Sequence, residues 1–416
     1  MKAQRILKSH LFENILSLSI IQGLNYLLPL ITIPFLFNQL GVEKYGLTNF
    51  CFAFVQYFVV LTDFGFGLSG TRFIASNRDD KTKINRFLCS ASISRLIMAL
   101  ASFCIMLIVV ILTDVFEGNK LFPLLFFGLV IGNAINPTWF FQGVERMKFN
   151  TLIYTLTRCI SVLPLFVMVR TEDDYYYIPI FYSLGAIISG ICSLILIRSM
   201  FGLSFFWTSF HEIKEATIDS SRYFMSRISN SLYTNTNSFV IGLVCGNVAV
   251  GYYSIAEKIY MALCSVYGPI NGALFPYMTK SRNLHLIKNV IICGSFINII
   301  FLFLFHILFP YICPLVFDNF SEQSMSVLNI LIISCLVGLP STFLGYPFLA
   351  AFGHPNYTNY SLIITSLLHL FGLFLLYSLG LINIQNVAIM VLLSDTFLLL
   401  VRIIGVHRYK LWQLSL

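Results

Sequence analysis

Along this chain the charged positions come in clusters and the apolar ones in long unbroken runs. Residues 14–42, 45–62, 96–113, 121–144, 175–197, 228–256, 259–279, 289–317 and 323–394 contain no Asp, Glu, Lys or Arg. A helix crosses the ~30 Å hydrocarbon core of a bilayer in about 20 residues. Runs of 18 to 29 residues therefore suit one crossing each, and the last, 72 residues long, has to fold back on itself. Backbone groups in lipid must be hydrogen-bonded internally, which leaves helices or a closed barrel. Barrel strands alternate polar and apolar positions over ~10 residues. These runs are apolar on every side, so the pattern predicts an all-α polytopic chain. Twelve spans follow, at 14–37, 47–66, 87–112, 121–142, 149–169, 177–197, 221–244, 256–278, 287–310, 325–350, 358–380 and 386–405. The breaks NQLGVEKYG, FEGNK, RTEDDYYY, FDNFSEQ and GHPNYTN hold the Gly, Pro, Asn or charge that turns require.

Composition agrees with this reading. Charged residues make up 11% of the 416, against roughly 25% in a soluble domain. The basic start MKAQRILKSH precedes an apolar run too long for a signal-peptide core and lacking a small-residue cleavage site, so it reads as a retained first helix. Lysine and arginine set the orientation, being concentrated on the cytoplasmic side. With the amino terminus inside, nineteen of the 26 lie in inner segments, and four (Lys44, Lys120, Arg170 and Lys258) lie in outer loops. Both termini are thus expected in the cytoplasm, and the net charge of +8 is this bias rather than a nucleic-acid surface. The ten cysteines are scattered with no CxxC pair, as small apolar packing residues would be.

The outer segment GVEKYGLTNF (41–50) has an echo in NVAVGYYSIAEK (247–258), with Gly251 lying 205 residues after Gly46. The same offset carries the first span onto the seventh. The expected organisation is a six-helix lobe over 1–200, a cytoplasmic linker at 201–220 and a second six-helix lobe over 221–416. Transporters built from two repeats commonly bind substrate between them.

No catalytic constellation is present: there is no HExxH, GxSxG or P-loop lysine motif, the seven histidines are isolated, and no metal or cofactor site is expected. The longest segments outside the spans, 67–86 and 198–220, are too short to fold as a catalytic domain. The informative residues are ionisable groups inside spans, since a charge at the bilayer centre costs ~2.5–3.5 kcal/mol on insertion scales. Arg158 falls near mid-depth, where it should face a wet cavity or pair with a group such as Asp395. Arg95 and Arg227 lie nearer the cytoplasmic side. Asp63 and Asp395 are candidates for ion coupling or gating, against interhelical hydrogen bonding. Span seven, SRISNSLYTNTNS at 226–238, is too polar to face lipid all round. Its Asn230, Asn235 and Asn237, with Gln22 and Asn25 of span one and Asn133 and Asn136 of span four, are expected to line an aqueous cavity or to join helices. In VLTDFGFGLSGTR (60–72), Asp63 closes the second span, Gly65, Gly67 and Gly70 allow a bend or close packing, and Arg72 anchors the inner side. Asp63 could also pair with a base in one state and release it in another.

Three segments resemble the Wzx-type O-antigen flippases, the polysaccharide-transport branch of the multidrug/oligosaccharidyl-lipid/polysaccharide exporter superfamily. They are LGVEKYGLTNFCFAFVQYFVVLTDFGFGLSGTRFIA (40–75), NPTWFFQGVERMKF (136–149) and VGYYSIAEKIY (250–260). The resemblance implies two six-helix lobes around a cavity, alternating access and an ion-gradient drive. It implies a cargo of undecaprenyl-diphosphate-linked oligosaccharide moved across the bacterial inner membrane, and leaves contacts with an O-antigen polymerase or a chain-length regulator open. Arginine suits a diphosphate through its bidentate fork. A multidrug exporter of the same superfamily is the alternative. It would favour acidic residues in the lumen, whereas here the embedded charge is mainly arginine. A membrane-embedded glycosyltransferase or polymerase fits the short loops less well.

Overall fold

The computed structural model describes residues 2–318 and 320–413, without the side chains of residues 2–27, 30, 226, 230 and 413. The side chains of Glu13, Gln22, Asn25 and Asn230 therefore lie outside the described residues. Among the described residues there is no strand.

Breaks between helices fall where the local chemistry demands them. Helix α1 (Lys2–Asp63) is interrupted at Gly41, with φ 65° and ψ 171°, a region open essentially to glycine alone. It ends where Phe64 and Gly65 both take positive φ, and α2 (Phe66–Ser76) follows. Asp80 caps α3 (Lys81–Leu112) by accepting from the Lys83 N–H. The fourth predicted crossing is built of α4 (Leu121–Leu125), α5 (Phe127–Ile135) and α6 (Thr138–Gly143), and the last break falls at Asn136–Pro137. Helices α7 (Met147–Val162) and α8 (Leu165–Met168) flank Pro164, and α9 (Tyr177–Phe201) stops at Gly202 in the left-handed conformation. The long α10 (Phe210–Cys245) leads through Gly246 to α11 (Asn247–Ser265) and α12 (Tyr267–Ser281). Then come α13 (Leu284–Val316), α14 (Glu322–Phe343), a π-helical turn at Leu344–Ala350, α15 (Pro355–Ser378) and α16 (Ile384–Arg408).

Nine spans among the described residues are long and apolar enough to cross a membrane. They match ten of the twelve expected crossings at most, since Ile31–Ser76 carries the second and the tail of the first. The seventh and eighth, on α10 and on α11 with α12, are helical but too polar to be counted with the nine. Three loop assignments change. Much of the inner segment 67–86 is helical, as α2 and the start of α3, and the outer segments 41–50 and 247–258 are the opening turns of helices rather than loops. Gly and charge suggest a loop in each, yet the backbone of each runs on as helix.

The chain divides into two compact units, one of Met1–Leu28 with Phe50–Ser231 and one of Pro29–Asn49 with Leu232–Leu416. The first packs around Phe66, Ile74, Trp139, Phe140, Phe141 and Ile197, the second around Met278, Phe343, Phe348 and Val406. Large apolar side chains outside these cores point outward, such as Leu112 at 76% exposure and Leu315 at 85%, as lipid-facing residues do.

Within the second unit the sequence echo becomes a physical contact. Gly246 takes φ 82° and ψ 178°, nearly the conformation of Gly41, which lies 205 positions earlier. One turn beyond each of these glycines the two helices cross. A methyl group on Gly46 would lie 1.8 Å from the Asn247 carbonyl oxygen, and one on Gly251 would lie 2.2 Å from that of Val42. Val42 and Asn247 are themselves related by the 205-residue offset, so the contact is reciprocal: each helix offers a carbonyl to the other's glycine.

Candidate functional site: an arginine–aspartate cluster and a buried polar core

In the first unit, three of the sequence-predicted residues come together. Asp63 ends α1 immediately before the left-handed Phe64, whose ring stacks on Phe224 of α10 at 4.6 Å. The carboxylate lies 3.3 Å from the Arg227 Nε and 3.9 Å from an Arg95 terminal nitrogen. Gly67 clears room for this arrangement, since a methyl group there would sit 2.8 Å from the Arg227 guanidinium.

The two arginines have different environments. Arg95 is 2% exposed and donates to the Asn133 carbonyl (2.6 Å), the Asn133 side chain (2.7 Å) and the Asn136 carbonyl (3.1 Å). The reason lies in the sequence. Pro137 has no N–H, so the Asn133 carbonyl lacks its usual donor four residues on, and a guanidinium takes that place. The Arg95 Nε finds no hydrogen-bond partner among the described residues. Arg227, by contrast, is 50% exposed. One carboxylate thus faces two guanidiniums, leaving an excess positive charge with its accessible part on Arg227.

The surroundings hold the cluster in place. Asn136 is fixed to α9, donating to the Ser189 hydroxyl at 3.0 Å and accepting from Ser193 at 2.7 Å. The Trp139 indole lies against Gly70 of α2, where a methyl group would be 2.5 Å from the ring. Arg72 donates to both oxygens of Asp219 at 2.8 and 2.7 Å, tying α2 to α10. The segment VLTDFGFGLSGTR therefore supplies a carboxylate for the cluster and a helix held tightly over it. Arg158, on α7, donates from Nε to the Tyr154 hydroxyl at 2.8 Å, with its guanidinium 5.1 Å from that ring.

The second unit buries a polar core against its part of α10. Asp395, 9% exposed, accepts hydrogen bonds from Tyr233 (2.6 Å), Tyr260 (3.0 Å) and Ser334. Three hydroxyls thus occupy the carboxylate that the sequence offered as a partner for Arg158. His369 is fully buried, with its ring nitrogens 2.9 Å from the Ser394 hydroxyl and 2.9 Å from the Asn237 side-chain oxygen. Glu257 is buried and accepts from Ser238 at 3.2 Å. Lys258 donates to Asn49 at 2.5 Å and lies 5.2 Å from the Tyr45 ring centre. Of the polar stretch 226–238, Asn237 and Ser238 face this core, and the Asn235 amide reaches Thr234 at 3.3 Å. Along the chain His369 looks isolated in a charge-free run, and Glu257 sits at the edge of the span expected over 256–278, so neither stands out in the sequence. Their signal was present: ionisable residues within otherwise apolar helical stretches.

Comparisons with known proteins agree with this picture. Residues 11–282 match the family described as polysaccharide biosynthesis protein. A protein of Escherichia coli (strain K12), provisionally named an O-antigen transporter, is 29% identical over 286 residues, 68% of this chain and 69% of its own. A protein of Shigella dysenteriae with the same provisional name is 29% identical over 269 residues, 64% of this chain and 67% of its own. The lipid II flippase MurJ in an inward closed conformation superposes with a TM-score of 0.73 at 14% identity, covering 94% of this chain and 87% of its own. An inward-facing multidrug resistance transporter of the MATE family gives 0.70 at 14% identity, over 97% and 100%. At such identities the structural likenesses establish the fold: an all-helical membrane architecture shared with those transporters.

Proposed function

The chain belongs to the polysaccharide biosynthesis protein family, and from that premise we propose that it is a flippase for lipid-linked O-antigen or polysaccharide repeat units. The cargo is an oligosaccharide on undecaprenyl diphosphate, carried from the cytoplasmic to the periplasmic leaflet of the bacterial inner membrane by alternating access. The chain acts as a transporter rather than an enzyme, with both termini in the cytoplasm.

The observation that carries this reading is the Asp63–Arg95–Arg227 cluster. A buried guanidinium held by backbone carbonyls and an accessible one beside it share a single carboxylate. The excess positive charge suits a diphosphate, whose anionic oxygens accept paired hydrogen bonds from the guanidinium fork. Arg227 is the group that reaches the cargo, and Arg95 holds the cluster in position. Arg158 is proposed to extend this lining within the first unit, where sugars need polar partners. Asp395, in its cage of hydroxyls, is the proposed coupling group, while Asp63 gates by releasing its arginine partner to the incoming anion. The O-antigen names of the two bacterial relatives support the cargo class.

The test is the leaflet distribution of diphosphate-linked oligosaccharide in inner-membrane vesicles with and without the chain. Accumulation on the cytoplasmic face without it, relieved by adding it back, is the expected result. Arg227→Ala should slow that relief roughly 10- to 100-fold, as loss of a charge-assisted hydrogen bond implies. An unchanged distribution, with altered accumulation of cationic drugs instead, would overturn the reading in favour of an exporter.

A further inference from the structure

The second unit buries an acid and a base on the same helix without pairing them directly. Asp395 and Arg402 both lie on α16, two turns apart along one face, with a rise of about 10.5 Å between them. Arg402 is 4% exposed. Its guanidinium donates to the Ser341 carbonyl at 2.6 Å, and its Nε lies 3.4 Å from the Ser361 hydroxyl. The reason is local: Ser341 lies in the last turn of α14, whose carbonyls lack further helical donors. The π-helical turn that follows leaves room for the guanidinium, since a methyl group on Gly345 would lie 2.9 Å from it. Among the described residues neither Arg402 nor Asp395 makes an ion pair.

A matching spacing on α14 holds the two charges in register. Ser334 donates to the Asp395 carboxylate and Ser341 receives Arg402, so the partners on α14 are separated by the same two turns. Helices α14 and α16 form a ladder with one rung at the acid and one at the base. The other groups on Asp395 are the hydroxyls of Tyr233 from α10 and Tyr260 from α11. Glu257 and His369, also buried in this core, bond elsewhere: Glu257 to Ser238, and His369 to Ser394 and Asn237. The thiols of Cys264 on α11 and Cys335 on α14 meet each other at 3.1 Å. Arg402 is the fixed positive charge that α16 itself sets beside this carboxylate.

We propose that Arg402 is a positioning residue for Asp395: from two turns away it keeps the carboxylate charged and loosens its hold on a bound cation. The inference rests on the reading of Asp395 as the coupling group. Opposite charges about 10.5 Å apart, at an effective dielectric constant near 20, shift an ionisation equilibrium about tenfold. A direct ion pair would occupy the carboxylate and compete with the cation for the same oxygens. Held at a distance by Ser341 and Ser361, the guanidinium acts through its field alone. It leaves the carboxylate oxygens to hydroxyls that can turn aside, so a cation can enter and leave.

The experiment treats the purified full-length chain in detergent with N,N′-dicyclohexylcarbodiimide, an apolar reagent that attacks protonated carboxyls. Peptide mass spectrometry follows labelling at Asp395 against pH, with the proton as the probe cation. Arg402→Gln should raise the pH of half-labelling by about one pH unit, which is the tenfold change above. Arg402→Lys keeps the charge and should stay near the wild type. A merely structural role, resting on the bonds to Ser341 and Ser361, would make lysine behave as glutamine does. An unchanged helical content checks that both variants fold. Where the wild type resists the reagent at every pH, labelling should appear in Arg402→Gln alone. The same profile in wild type and Arg402→Gln, absence of labelling in both included, would overturn the proposal, and so would equal shifts for lysine and glutamine. The coupling reading is tested apart from this. A shifted labelling profile with an unaltered response of vesicle transport to an imposed ion gradient would keep the electrostatic pairing and remove Asp395 from coupling.

Discussion

Asp63 and Arg227 share one contact, yet removing either should have very different consequences. Asp63→Asn takes the negative charge from between two guanidiniums, one of which, Arg95, is 2% exposed. At 3.9 Å and an effective dielectric constant near 20, the Asp63–Arg95 attraction amounts to about 4 kcal/mol. Stripping a buried charge of its partner generally costs about 3–5 kcal/mol. Arg95 keeps its bonds to Asn133 and Asn136, which places the loss towards the lower end, about 3 kcal/mol. Arg227→Gln breaks the same contact from its half-exposed side, and solvent screening limits that loss to below about 1 kcal/mol. A unit of some two hundred residues shifts its melting temperature by roughly 2–4 °C per kcal/mol. Asp63→Asn should therefore melt roughly 6–12 °C below the wild type, and Arg227→Gln within about 4 °C of it. Thermal unfolding of the purified variants in one detergent, followed by far-UV ellipticity, measures both. Equal shifts for the two variants would show that Asp63 does not hold the Arg95 charge and would refute the unequal division of roles.

Two further predictions concern the second unit. Gly251→Ala drives a methyl group to 2.2 Å from the Val42 carbonyl oxygen, so the crossing helices must part; overpacking of this kind costs about 1–3 kcal/mol, read as a lower melting temperature, and Gly46→Ala should behave alike because the contact is reciprocal. A variant with wild-type stability at either glycine would contradict the close crossing. Asp395→Asn keeps an acceptor oxygen for Tyr260 and Ser334, turns a donor amide towards the Tyr233 hydroxyl and loses the charge, so the chain should fold and yet lose the response of vesicle transport to an imposed ion gradient; an unaltered response would remove Asp395 from coupling.

The sequence by itself determined the class of this protein. Long charge-free runs that are apolar on every side are membrane helices, because lipid offers the backbone no hydrogen-bond partner and barrel strands would alternate. Glycine conformations are local properties, so Gly41, Gly202 and Gly246 fall between the spans that the pattern predicts, whereas the break at Pro137 lies inside the span expected over 121–142. The echo between 41–50 and 247–258 was legible as well, and the structure gives its glycines a reciprocal contact. What the tertiary structure decided is which charges are neutralised, and by what. Arg72 reads along the chain as a residue of a basic inner loop, but it belongs to a helix and pairs with Asp219, 147 residues away. Lys258 reads as an outer-loop charge, yet it lies within α11 and bonds Asn49 across a gap of 209 residues. Asp63, Arg95 and Arg227 were each visible as embedded charges; that they form one cluster was not, and neither was the contrast between a buried and an exposed guanidinium. His369 stayed hidden because its partners, Asn237 and Ser394, come from other helices. Hydropathy sums over neighbours in the chain, whereas the electrostatic character of a site is set by neighbours in space, and only packing brings those together.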